Sequence, residues 1–178
     1  VDAITYFARA LGAARSNTPD AARNDLDQLR RAAESLGNRS FWGTKVDIQR
    51  QVAEAWILFA EGNTNDALAT MRLAADREDR TEKSGVSPGP IAPARELLGE
   101  MLLAADLPAA ALEEFKPAMN EEPGRFGALF GAAQAAERIG DIGLASSYYQ
   151  RLLEICERAD DEARDALVHA RESIAENE

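Results

Sequence analysis

The sequence has one cysteine, one histidine and no long apolar run. Cys156 alone cannot form an internal disulfide. Cysteine usage therefore does not indicate whether the protein resides in an oxidising or a reducing compartment. His169 alone cannot build a serine-protease-type triad or a histidine-based metal site within one chain. No apolar stretch approaches the roughly 20 residues that a membrane-spanning helix needs. These scarcities disfavour a disulfide scaffold, several classes of enzyme and a membrane-spanning protein.

Basic residues are also scarce relative to acidic ones. The 178 residues include 20 Lys and Arg against 31 Asp and Glu, which gives a net charge of −11 at pH 7. A nucleic-acid backbone or an anionic membrane surface would be repelled over most of such a protein. We therefore expect a soluble chain whose partners offer basic or apolar surface, and no nucleic acid among them. Cytoplasm and periplasm both remain compatible with the sequence.

A short pattern recurs along the chain: a small residue followed four positions later by a large apolar one, after a polar break. The intervals between successive copies are 45, 44 and 34 residues. Self-similarity at such a period is typical of helical repeat proteins. The copies are Ala22 and Leu26, Ala67 and Met71, Ala111 and Phe115, and Ala145 and Tyr149.

The copy between residues 92 and 125 carries the most specific signal. Its matching positions are Leu98, Gly99, Ala111, Phe115, Ala118 and Pro123. In residue type and spacing this segment resembles the tetratricopeptide repeat. The resemblance implies an all-α fold, an α-α superhelix of antiparallel helix hairpins. Gly99 and Ala111 suit it physically, because two helices of a hairpin approach closely where side chains are small.

Extending the pattern predicts one domain over residues 1–178. Its hairpins span about 2–36, 40–79, 91–122 and 124–157, and a capping helix with Asp160 as N-cap spans about 160–176. Gly62 and Gly140 fall where hairpins turn, which predicts left-handed backbone there. The first copy departs from the pattern, because Arg9 stands where a leucine is expected.

Two insertions lengthen the first two intervals. Around Ser40 the chain has no proline, and the apolar spacing predicts a helix prolonged at its start with Ser40 as N-cap. Residues 81–90 contain Ser-Pro-Gly-Pro, which predicts either an ordered lid or a tolerated surface loop. This second stretch also resembles segments of uncharacterised bacterial repeat proteins, but the resemblance indicates no activity.

The resemblance implies a concave groove, lined by the first helix of each hairpin, that binds peptide segments of other proteins. We expect a protein interaction scaffold whose partner segment has apolar side chains and a basic residue. The groove residues carried over from the family are Phe7, Leu11, Gln49, Val52, Trp56, Phe59, Glu96, Glu100, Phe130 and Gln134, followed by Glu137 and Arg138.

Each of these residues also has a simpler interpretation. Phe7, Trp56 and Phe59 at helical spacing are as well explained by core packing. Glu96 and Glu100 would form a solvated acidic patch more readily than a carboxylate pair or cation site. The lysines and asparagines with which some family members clamp a partner's terminal carboxylate are missing, so an acidic tail is not expected.

No set of residues indicates catalysis, a metal or a cofactor, so an enzyme is not expected. Cys156 among apolar neighbours indicates a buried thiol without redox activity. Rival functions remain open: a small-ligand-binding helical pocket, or a non-catalytic module of a larger bacterial enzyme or assembly. A homodimer is a further possibility, paired through an uncovered stripe on the first helix of Phe7, Ala10, Leu11 and Ala14.

Overall fold

The structure, a computed structural model, describes residues 2–37, 40–81, 89–159 and 164–176. These ranges contain nine α-helices and no strand. The predicted fold class is confirmed: an α-α superhelix of four hairpins followed by a capping helix. The helices are α1 (Asp2–Arg15), α2 (Pro19–Leu36), α3 (Phe41–Ala60), α4 (Thr64–Asp79), α5 (Ala94–Ala104), α6 (Pro108–Glu121), α7 (Phe126–Arg138), α8 (Ile142–Ile155) and α9 (Asp165–Ala175).

The chain divides into two compact units, and the boundary falls within α5. Unit 1 is Val1–Leu98 and unit 2 is Gly99–Glu178. Unit 1 contains α1 to α4 and the start of α5, and unit 2 contains the rest of α5 and α6 to α9. That residues 1–178 form a single domain stays a prediction.

In unit 1, α1 packs against both α2 and α3, and α3 packs against α2 and α4. Alanines such as Ala10, Ala22, Ala53 and Ala67 are fully buried at these contacts. Because a methyl group takes little room, the helix axes come close and backbone and side chains pack at high density. The small residue of the repeated pattern is thus a helix-contact residue.

An ion pair accounts for the departure of the first hairpin from the pattern. Arg9 lies on α1 and its guanidinium is 2.9 Å from a carboxylate oxygen of Asp25 on α2. The Asp25 side chain is only 6% exposed, so it needs a cationic partner to be tolerated there. An arginine in place of the expected leucine supplies that partner.

The start of α3 agrees with the prediction. The Ser40 hydroxyl accepts a hydrogen bond of 2.9 Å from the backbone N–H of Gly43. This bond satisfies one of the N–H groups that a helix leaves without an internal partner at its first turn. The helix that follows has 20 residues, so the prolonged third helix is confirmed.

The hairpin turns use left-handed backbone at equivalent places. Gly62 has φ 84° and Gly140 has φ 82°, as predicted. In the other two hairpins, Asn17 (φ 56°) and Asp106 (φ 58°) take the same conformation. Asparagine and aspartate tolerate it better than other residues with a side chain. The turn geometry is therefore a shared feature of all four hairpins.

Phe115 fills the centre of unit 2. Its ring is fully buried between α5 and α7, opposite Gly99 and Gly131. A Cβ atom at Gly99 would lie 2.6 Å from Cζ of Phe115, and one at Gly131 would meet the same atom more closely still. Gly99 was expected at a close contact, whereas the role of Gly131 was not anticipated. Both glycines leave the space that the Phe115 ring occupies.

The capping helix begins later than predicted. Asp160 lies outside the described residues, and α9 starts at Asp165, after Arg164 with extended backbone (φ −152°, ψ 127°). The guanidinium carbon of Arg164 is 4.6 Å from the centroid of the Phe126 ring. This cation–π contact holds Arg164 against the start of α7, and the helix begins at the next residue.

Replacing Gly131 with alanine tests the packing around Phe115. We expect Gly131→Ala to lower the free energy of unfolding by about 1–3 kcal/mol, because the added methyl group overlaps a fully buried ring. The measurement is urea denaturation followed by circular dichroism.

Gly12→Ala is the matched control, because a Cβ at Gly12 meets nothing within 4 Å. Because alanine favours helical backbone more than glycine does, this variant should have a free energy of unfolding about 0.5–1 kcal/mol higher. Adding Phe115→Leu to Gly131→Ala should recover part of the loss. Equal stability of the two glycine variants would contradict the packing argument.

Candidate interaction surface

The sequence-derived groove residues of unit 1 lie on two adjacent helices. Spacings of three and four place the residues of each helix on one side of it. Since α1 packs against α3, we treat these two sides as one surface, the α1–α3 face. The face consists of Phe7 and Leu11 on α1 and Gln49, Val52, Trp56 and Phe59 on α3.

Burial divides the α1–α3 face into two sets. Phe7, Val52 and Trp56 are buried, whereas Leu11, Gln49 and Phe59 are half-buried and reach the surface. Core packing therefore explains the positions of Phe7 and Trp56 better than it explains the position of Phe59. That any of these residues binds a partner stays a prediction.

The stripe expected to pair two copies of the chain is not exposed. Phe7, Ala10 and Ala14 are all buried within unit 1, where α1 packs against α2 and α3. Of the four residues, only Leu11 keeps partial exposure. The reason given for a homodimer was wrong, because α2 and α3 cover this side of α1.

Trp56 has the most unusual environment on the face. Its ring packs edge-on against Phe59, with the two centroids 5.7 Å apart and the planes at 70°. The guanidinium carbon of Arg15 lies 5.1 Å from its ring centroid. The indole Nε1 is buried, yet it has no hydrogen-bond partner among the described residues. A buried donor in this state costs about 1–3 kcal/mol.

A row of charges runs along α3 beside this face. The Arg50 guanidinium donates to Asp47 and to Glu54, each over 2.7 Å, and Arg77 on α4 also bonds to Asp47. Burial by itself would raise the pKa of Asp47, but the hydrogen bonds from Arg77 and Arg50 outweigh it, so the pKa is lowered. These charges are satisfied within unit 1, and they join α3 to α4.

The two glutamates predicted as an acidic patch differ in exposure. Glu96, in unit 1, is 6% exposed. It therefore does not belong to a solvated acidic surface, contrary to the sequence-based interpretation. Glu100, in unit 2, is half-buried. One oxygen of its carboxylate, Oε2, is buried.

In unit 2, Phe130 packs beneath the capping helix. Its ring centroid is 6.2 Å from that of Tyr149 on α8 and 6.2 Å from that of His169 on α9. Edge-on and tilted aromatic contacts at this range are stabilising. Phe130 thus binds α9 to α7 and α8, while Gln134 on α7 is half-buried.

The Glu137 carboxylate joins three helices. One oxygen accepts from the Tyr149 hydroxyl and lies within hydrogen-bond distance of Nε2 of His169, both at 3.1 Å. The other accepts from the hydroxyl of Ser173 at 2.9 Å. Glu137 was carried over as a groove residue, but its bonds attach α9 to the hairpin of α7 and α8.

Arg138, which was predicted as a groove residue together with Glu137, also has a contact within unit 2. Its guanidinium donates over 2.9 Å to the backbone carbonyl of Leu103 near the end of α5, which also accepts from the N–H of Asp106. The attachment of α9 was missed from the sequence. Its signal was the pair His169 and Ser173, two polar residues four apart on one side of a short helix.

These bonds change the acidity of both partners. Burial raises the pKa of Glu137, but the hydrogen bonds from Ser173, His169 and Tyr149 outweigh it and the net pKa is lowered. Burial and the nearby Glu137 charge raise the pKa of Tyr149. The network is therefore built around a carboxylate anion and a neutral phenol.

Other site types find little support within the described residues. In those ranges, no three or more His, Cys, Asp or Glu side chains are grouped so as to hold a metal ion. The helices there are each too short or too polar to cross a membrane. Cys156 is a free thiol and is half-buried, less enclosed than its apolar neighbours indicated.

Comparison with known proteins identifies the fold and no more. No protein-family model matches the sequence, and no curated protein matches it. The structure is similar to the crystal structure of PcrH from Pseudomonas aeruginosa, with a TM-score of 0.56 and 15% sequence identity. The match covers 73% of this chain and 90% of that one. It supports a tetratricopeptide-like helical fold.

The Glu137 network predicts a pH-dependent stability. Because the folded pKa is lowered, its contribution is complete above the ordinary value of 4.5 and is lost as pH falls below that value toward the folded pKa. At neutral pH we expect Glu137→Gln to lower the free energy of unfolding by about 1 kcal/mol. Denaturation at several pH values should show this difference shrinking as the solution is acidified below about pH 4.5.

Glu154→Gln is the matched control, since Glu154 is an exposed glutamate on α8. Surface substitutions of this kind change stability by no more than about 0.5 kcal/mol. A stability difference for Glu137→Gln that stays constant from neutral to acidic pH would contradict the role of the carboxylate.

Proposed function

We propose that this chain is a protein–protein interaction scaffold and that the α1–α3 face binds a segment of a partner protein. The tetratricopeptide-like fold is consistent with a protein-binding helical scaffold. The proposal rests chiefly on Trp56, whose Nε1 is a buried donor with no acceptor among the described residues. Native proteins rarely leave such a group unsatisfied.

A partner backbone would supply the missing acceptor. Every residue of an extended segment offers a carbonyl oxygen. A hydrogen bond from Trp56 to such an oxygen would recover the cost of the unsatisfied donor at the moment of binding. Tryptophan residues that combine apolar area with one donor are frequent energetic centres of protein interfaces.

Access to Trp56 requires the Arg15 side chain to move. Arg15 is exposed and its guanidinium lies over the indole ring. An exposed cation–π contact is worth only about 0.5–1 kcal/mol, so this contact by itself opposes an incoming segment weakly. The displaced guanidinium would then be placed to donate to a carbonyl of the same segment.

The partially exposed residues of the face define the partner's chemistry. Leu11 and Phe59 offer apolar surface, and Gln49 offers an amide about two turns before Trp56 on α3. A segment with large apolar side chains fits them. In unit 2, Glu100 and Gln134 keep partial exposure, and we propose Glu100 as the residue that prefers a basic group.

The polar residues that most resemble catalytic ones support a structural role instead. His169 and Ser173 both bond to Glu137, and through it they hold α9 in place. We therefore propose a non-enzymatic function, in which the helices present a binding surface and carry out no reaction.

Trp56→Phe tests this proposal, because phenylalanine keeps an aromatic ring but lacks the N–H group and the second ring of the indole. Peptides selected from a phage-displayed random library by the whole chain would serve as probes, titrated by calorimetry. We expect the variant to bind them about tenfold more weakly. Its free energy of unfolding should fall by about 1–2 kcal/mol, since the smaller ring leaves part of a buried site unfilled.

Trp42→Phe is the matched control, because Trp42 is the other tryptophan and is 58% exposed. It should bind the selected peptides as tightly as the natural chain. Unchanged affinity of Trp56→Phe, or failure to select any peptide, would contradict the proposal. A loss of stability with no loss of affinity would assign Trp56 to the core alone.

A further inference from the structure

Unit 2 contains a surface cavity that the proposed function does not use. It lies between α6 and α8, the second helices of their hairpins, and has a volume of about 290 Å³. Its lining residues are Lys116, Met119, Asn120, Pro123, Tyr148 and Arg151. This volume is at the lower limit of the roughly 300–1,000 Å³ of small-molecule sites, so any ligand must be small.

The charged side chains lining the cavity are both cationic. Lys116 Nζ is 2.5 Å from a carboxylate oxygen of Glu113, which lies outside the lining. Arg151 donates to the backbone carbonyl of Pro123 over 3.0 Å. Since a carbonyl is neutral, that bond orients the guanidinium without cancelling its charge. In a chain with a net charge of −11, the Arg151 guanidinium gives this cavity a local positive charge, whereas Lys116 is paired with Glu113.

Neutral donors accompany the two cations. Tyr148 and Asn120 line the cavity together with Lys116 and Arg151. The phenol of Tyr148 and the amide of Asn120 can each donate a hydrogen bond. Met119, Pro123 and the Tyr148 ring supply an apolar wall. The cavity thus combines donors for an anion with surface for an organic group.

We propose that this cavity binds the phosphate of a small organic phosphate monoester. A phosphate monoester, whose charge approaches −2 near neutral pH, would pair with Arg151 and compete with Glu113 for the Lys116 ammonium. Its three terminal oxygens can accept from Lys116, Arg151 and the neutral donors together, more bonds than one carboxylate readily accepts. Arginine suits phosphate geometry, and lysine serves as a point charge. The apolar wall then packs against the organic part of the ester.

The test is a titration of the whole chain with phenyl phosphate, followed by amide chemical shifts in ¹⁵N-labelled protein. Saturable shifts should appear at Lys116, Tyr148 and Arg151. Benzoate carries the same ring with one negative charge, and it should bind about tenfold more weakly. Arg151→Ala should weaken phenyl phosphate binding about tenfold or more, because a charge-assisted hydrogen bond is lost.

Arg31→Ala is the matched control, since Arg31 is an exposed arginine on α2 in unit 1 and its loss changes the net charge equally. It should leave the affinity unchanged. Equal weakening by Arg31→Ala and Arg151→Ala, or equal affinity for benzoate, would overturn the proposal, as would the absence of saturable shifts. Much tighter binding of a phosphoserine peptide than of phenyl phosphate would overturn the assignment to a small molecule.

Discussion

Close approach between helices is the constraint on which the rest of this structure depends. Fully buried alanines occupy the helix contacts of unit 1, and two glycines of unit 2 leave the space that Phe115 fills. With small residues at the contacts, one large apolar side chain per contact is enough to fill the remaining volume. The hairpins then hold together with few aromatic residues, which make up 6% of the chain. Aromatic side chains are therefore available for particular positions, such as Trp56 and Phe130.

Features that depend on neighbours along the chain were predictable from the sequence. The Ser40 cap and the left-handed turns at Gly62 and Gly140 follow from residue type and local spacing. Features that depend on contacts between helices were not. Arg9 looked like a defect in the repeat until its pairing with buried Asp25 was visible, and Glu137 looked like a groove residue until α9 was seen to cover it. A repeat register gives the side of a helix on which a residue lies, but not what covers that side.

The candidate binding regions also show how this acidic chain distributes its charge. Beside the α1–α3 face, Asp47 and Glu54 are engaged by Arg50, and Arg77 also bonds to Asp47. Under the proposed function, that face recognises a partner by apolar contact and one unsatisfied donor. In unit 2, the cavity between α6 and α8 has the opposite character, because Lys116 and Arg151 line it. Net charge indicates which partners are repelled at long range, while local pairing determines what a given surface attracts.

The arrangement of Phe115 between Gly99 and Gly131 has an evolutionary consequence. A larger residue at either glycine can be accepted only if the ring becomes smaller, and a smaller ring leaves a void unless a glycine enlarges. The three positions, on three different helices, are therefore expected to covary among related sequences, which is the signature of residues in spatial contact. Substitution elsewhere in the helices is less constrained, since many residue types are compatible with the surface of a helix. A lineage can thus lose recognisable sequence similarity while it keeps the same packing of helices.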